Sequence, residues 1–149
     1  MNTQDTNAEE ISPIWDPNLA AALSLAFTPI FGAYLHMLNW RALGEPQRAA
    51  TSQKWFNAAI ALGILYTMLP VALPDLKDAD VKLGLVGWVF LISCYLASAR
   101  SQAKFVKEKY GTKYTTRPWG KVLGTALLVI LGYYLVVSAV LLVIVASFQ

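Results

Sequence analysis

"FTPIFGAYLHMLNWRALGEP", residues 27–46, is largely apolar through Leu38 and then turns polar at Asn39, Trp40 and Arg41. How this stretch is read decides the fold. It is oily enough to lie in hydrocarbon, yet it carries Pro29 and Gly32 near its start and His36 and Asn39 near its end. Proline in a helix interior removes a hydrogen bond and kinks or breaks the helix. The stretch is therefore either a kinked transmembrane helix or a segment that dips into the bilayer and returns. We take the kinked span as the expectation. The re-entrant alternative would leave three true spans and an N-terminus on the cytoplasmic side.

Outward from this stretch, the chain contains four long apolar runs: 19–38, 55–73, 83–99 and 122–148. A helix crossing about 30 Å of hydrocarbon needs about 20 apolar residues. The last three runs contain no charged residue, whereas the buried helix of a soluble bundle keeps a polar stripe toward water. With 56% hydrophobic and 14% charged residues, the composition is also richer in apolar residues than a soluble domain of 149 residues requires. The runs do not alternate polar with apolar as barrel strands do. The expected fold is all-α: an integral membrane four-helix bundle over residues 18–149 with a Pro-kinked first helix, preceded by an acidic N-terminal tail, 1–17.

The basic residues set the threading. Of the twelve Lys and Arg residues, three lie in 41–54 and seven in 100–121, two alternate loops. The positive-inside rule places both loops in the cytoplasm. The acidic connection 74–82 and both termini then face outward. Trp15, Trp40, Trp55 and Trp119 fall at run ends, where an indole suits the headgroup level. The N-terminus has four carboxylates and no cation before Arg41, so it is not a secretory signal. The single cysteine, Cys94, excludes an internal disulfide and reads as a small buried apolar group.

Small residues mark the surfaces where membrane helices pack closely. Ala20, Ser24, Thr28 and Gly32 recur every four residues and lead to His36 along one side of a helix. Gly120, Gly124 and Gly132 form a second row, and GKVLG at 120–124 has the GxxxG spacing. This second row fits packing within the bundle or a homo-oligomer seam. His36 and Asn39 share a face, and an ionisable residue in a membrane segment is a functional candidate whose partner must be named. Asn57 near the start of run two, with the hydroxyls of Tyr34 and Tyr66, supplies the candidates. The polar site is therefore expected to comprise His36, Asn39 and Asn57. After Asn39, Gly44 is placed to close the first helix and Pro46 to open a short one, with Glu45 in reach of Arg41 or Arg48.

The basic loop carries Arg100, Lys104, Lys107, Lys109, Lys113, Arg117 and Lys121, all expected at anionic lipid headgroups. Ala99, Ala103, Val106 and Tyr110 fall at helical spacing, so the third helix is expected to emerge with an amphipathic extension. The stretch is too short and too closely tethered to serve as a nucleic-acid surface.

No catalytic constellation, phosphate loop, haem motif or metal-ligand spacing is present, so no enzyme activity and no cofactor are expected. By elimination the protein acts by binding a partner in or at the membrane. Three forms stay open: an immunity-type protein neutralising a membrane-targeting toxin, an accessory or assembly subunit of a larger complex, and a small channel or transporter using His36. The opening stretch also resembles that of small uncharacterised bacterial inner-membrane proteins sharing an "FTPxFGA…NWxxLGxP" pattern. The resemblance covers residues 15–56, about a quarter of the chain. It implies a multi-pass protein of the bacterial inner membrane and brings no activity with it.

Overall fold

The computed structural model describes residues 12–72 and 79–147. The tail 1–11, most of the acidic connection 74–82 and the last two residues of the chain lie outside the described residues. The fold is all-helical: α1 (Pro17–Ala26), α2 (Pro29–Ala42), α3 (Pro46–Ala72), α4 (Ala79–Cys94), α5 (Arg100–Tyr110) and α6 (Gly120–Ser147), with a π-helical turn at Tyr95–Ala99 joining α4 to α5. The chain divides into two compact units, residues 1–117 and 118–149. Among the described residues, two helical stretches are long and apolar enough to cross a membrane, Lys82–Tyr110 with 29 residues and Gly120–Val143 with 24.

The expected kinked helix over 19–38 is instead two helices folded back on each other. Asp16 caps α1, its carboxylate accepting from the backbone N–H of Asn18 and Leu19 at 2.9 and 2.8 Å. Thr28, with an extended backbone, caps α2 by accepting from Phe31 N–H at 3.2 Å, and Pro29 occupies the first helical position. A residue preceding proline is disfavoured in the helical region, so one Thr-Pro pair both ends α1 and starts α2. The return is confirmed at the far end, where Trp15 and Asn39 are hydrogen-bonded to each other. The small-residue row is thus shared between two helices. Ala20 and Ser24 lie on α1, Thr28 is the cap, and Gly32 and His36 lie on α2. A Cβ added at Gly32 would come within 2.3 Å of Ser24 Cβ, so the two arms touch where the sequence is smallest.

Beyond the hairpin, Gly44 takes the left-handed conformation at φ 72° that ends α2, as expected. Pro46 opens not a short helix but the 27-residue α3, which absorbs the loop residues as its first turns. Arg48 lies 3.7 Å from Glu45, and its guanidinium stands over the rings of Trp40 and Phe105 at 4.9 and 4.6 Å.

The core of the first unit lies beyond the ends of the apolar runs. Ile14, Trp40, Leu43, Ala49 and Val106 form it, with Phe105, Tyr110 and Tyr114 packed against them. Trp15 and Trp40 are therefore buried in protein, 9% and 1% exposed, and are not presented outward at a headgroup level. Ile14 N–H donates to Thr115 O at 3.1 Å and Arg117 N–H to Ile14 O at 2.8 Å, an isolated parallel bridge. Segments 13–15 and 115–117 therefore share one side of any bilayer. The expectation that the N-terminal tail faces outward while loop 100–121 faces the cytoplasm cannot hold for both.

The second unit is α6, in which Leu128, Leu131, Leu135, Val136, Leu142 and Val143 are exposed. A Cβ added at Gly120, Gly124 or Gly132 would meet nothing within 4 Å.

Candidate functional site

His36 and Asn39 of α2 meet Gln102 of α5 at the open end of the hairpin. α2 brings His36 and Asn39 to one face, three residues apart. Asn39 grips the backbone of the incoming chain: Trp15 N–H donates to its Oδ1 at 2.9 Å, and its Nδ2 donates to Trp15 O at 2.7 Å. From α5, Gln102 closes the set. Its Nε2 donates to His36 O at 2.9 Å, and its Oε1 accepts from Asn39 Nδ2 at 3.2 Å and meets His36 Nδ1 at 2.7 Å. Asn39 and Gln102 are fully buried, and His36 is 2% exposed.

This pattern assigns the imidazole tautomer. Gln102 Oε1 can only accept, so His36 Nδ1 carries the proton and Nε2 is left with its lone pair. That Nε2 has no hydrogen-bond partner among the described residues. A cavity of about 10 Å³, room for about one water, lies against His36, lined also by Ser24, Gly32, Cys94 and Ala99.

A second buried contact, Ser52 Oγ to Ser98 Oγ at 2.9 Å, ties α3 to the π-helical turn. That turn matters for the register. Bonding from residue i to i+5 keeps residues five apart on one side, so Cys94 and Ala99 are both buried. The Ser101 hydroxyl donates to Ala97 O and Ser98 O, both at 3.0 Å, covering carbonyls within the wide turn.

Of the expected polar site, His36 and Asn39 come together and Asn57 does not. Asn57 accepts from Gln53 on the exposed side of α3 at 3.1 Å. Tyr34 packs on Phe56 and is no partner of His36. Gln102 is absent from the expected site because it lies inside the cation-rich loop, whose charges dominate the pattern there. The signal available was spacing: Ser98, Gln102 and Val106 recur every four residues, and all three are buried. The amphipathic extension itself is present as α5, with Ala99 and Val106 buried as expected and its centre displaced toward Gln102.

The cations of the basic loop divide. Arg117 is engaged within the protein: its Nε donates to Pro13 O at 2.6 Å and its guanidinium stands 4.8 Å from the Trp15 ring. Lys109 lies against the Phe105 and Tyr110 rings at 5.5 and 5.3 Å. Arg100, Lys104 and Lys107 line a groove between α1 and α5. Among the described residues, no three His, Cys, Asp or Glu side chains gather to hold a metal ion. Comparison of the chain with protein-family models, curated proteins and solved structures finds no match.

Proposed function

We propose that this is a non-enzymatic, multi-pass protein of the bacterial inner membrane that acts by binding a partner in or at the bilayer. In this reading α3, α4 with its continuation, and α6 cross, while α1 and α2 dip in and return. The N-terminus, loop 41–54 and loop 100–121 then all lie in the cytoplasm, which agrees with the positive-inside rule and with the bonds between Ile14 and residues 115–117. Irregular backbone such as residues 27–28 is tolerated at membrane depth where protein buries it.

The observation that carries the functional reading is the use to which the buried polar groups are put. His36, Asn39 and Gln102 hold the hairpin to α5, and Ser52 and Ser98 hold α3 to the π-helical turn. These groups form a lock between helices, not a relay along a path, which weakens the reading of His36 as a transport residue. We take the immunity-type form first, by analogy with small polytopic proteins without catalytic residues, and the accessory subunit second. Both predict a stoichiometric partner on purification in mild detergent. They part when a membrane-targeting toxin encoded beside the gene is expressed: rescue of growth by this protein supports immunity, and absence of rescue with a co-purifying complex supports the subunit. Ion or solute flux in liposomes that His36→Ala abolishes in folded protein would overturn both.

A further inference from the structure

The groove between α1 and α5 has a volume of about 1230 Å³ and two distinct linings. Its walls are small and apolar, with Ala21, Ala22 and Leu25 from α1 facing Ala99 and Ala103. Its rim is cationic: Arg100, Lys104 and Lys107 recur four and three residues apart, one stripe of a helix. Asp16, the only carboxylate lining it among the described residues, already accepts from Asn18, Leu19 and Tyr114. Lys104 reaches Glu108 only at 3.8 Å on an open surface, a contact that holds the cation weakly. No carboxylate among the described residues pairs with Arg100 or Lys107.

Resting on the membrane reading, we propose that this groove binds one anionic phospholipid, with its phosphate on Arg100 and Lys107 and an acyl chain along Ala22 and Leu25. The amphiphilic pairing selects the occupant. A soluble anion would leave the apolar wall unused, and a zwitterionic lipid would leave the rim uncompensated. Leu25, 67% exposed, is the kind of side chain an acyl chain covers.

The test uses the full chain, purified in mild detergent, delipidated and titrated with phosphatidylglycerol or with phosphatidylcholine of the same acyl chains, bound lipid being read by native mass spectrometry. One phosphatidylglycerol per chain should be retained in preference to phosphatidylcholine. Arg100→Gln and Lys107→Gln should each weaken retention roughly fivefold, the equivalent of about 1 kcal/mol per cation. Lys54→Gln, an exposed cation of α3 outside the groove, should change nothing. Ala22→Trp, which fills the groove without altering charge, should also expel the lipid. Equal loss with Lys54→Gln, retention unaffected by Ala22→Trp, or displacement by inorganic phosphate alone would each overturn the proposal. A chain that stays monodisperse without detergent would sink the membrane reading instead. A short-chain, water-soluble phosphatidylglycerol would still decide the groove in that case.

Discussion

Gly32 and Gly124 lie in equally apolar stretches of this chain, yet a Cβ on the first would strike Ser24 and a Cβ on the second would meet open space. The same contrast runs through their surroundings. Around α2 the side chains are committed: Leu35, His36, Asn39 and Trp40 are almost wholly buried, and the polar ones hold a partner. Along α6, Leu128 is 70% and Leu142 71% exposed. In the bilayer setting proposed above apolar surface costs nothing, so α6 needs only length and oil. A histidine and two amides held away from water need partners, because each unmade bond costs its desolvation, and of their side-chain polar atoms His36 Nε2 lacks one among the described residues. Composition suffices to specify one region, whereas the other depends on particular residues meeting.

The contrast is broken most severely at Trp40, which joins the core cluster and packs edge-on to Phe105 at 5.2 Å. Trp40→Ala should cost about 3–5 kcal/mol in a denaturing-detergent titration, whereas exposed Leu128→Ala should stay within about 0.5 kcal/mol. Comparable losses at the two positions would mean that α6 is as tightly packed as the hairpin end.

Next comes the lock. Asn39→Leu keeps the branching and the heavy-atom count but leaves Trp15 N–H and C=O without the amide and Gln102 Oε1 without one of its donors, so a loss of about 1–3 kcal/mol is expected. Gln102→Leu should cost a similar amount, and the double variant less than the two together, because both act through one network. Strict additivity in the cycle would show that the two amides work independently.

At the glycines themselves, Gly32→Ala should destabilise by about 1–3 kcal/mol, since Ser24 Cβ can yield only by moving backbone. Ser24→Gly should restore much of the loss. Gly124→Ala should be neutral or slightly stabilising, alanine being the better helix former by about 1 kcal/mol. Failure of Ser24→Gly to rescue would place the close approach elsewhere.

These outcomes bear on how far the fold could be read from the residues alone. The helical class, the amphipathic exit of the third apolar run, the left-handed Gly44 and the packing role of Gly32 follow from local chemistry and were legible. Whether Thr28-Pro29 kinks one helix or separates two depends on what waits at residue 15, and Trp15 meeting Asn39 across 24 positions leaves no periodic trace. Asn57 and Gln102 show the same limit. Both are amides near run ends, and only the packing of α5 on α2 decides that the second is buried and the first is not.

The smallest effect concerns Tyr114, half-buried, whose hydroxyl donates to Asp16 Oδ2 at 3.1 Å. Burial raises its pKa above the ordinary phenol value, and the hydrogen bond and the carboxylate charge of Asp16 raise it further. The folded state thus holds the phenolic proton more tightly than the unfolded chain does. The stability this contributes is complete below about pH 10, the unfolded value, and is lost as pH rises from there through the raised folded value. An ionised Tyr114 would face the carboxylate that caps α1, so the loss should appear first as fraying of the hairpin's entry arm. Tyr114→Phe removes the titrating group, and its unfolding midpoint should fall less steeply than that of the wild type above about pH 10 while running parallel to it between about pH 7 and 9. Parallel curves over the whole range would mean that the Asp16 contact does not survive in solution, and with it would go the tie between α1 and the loop after α5.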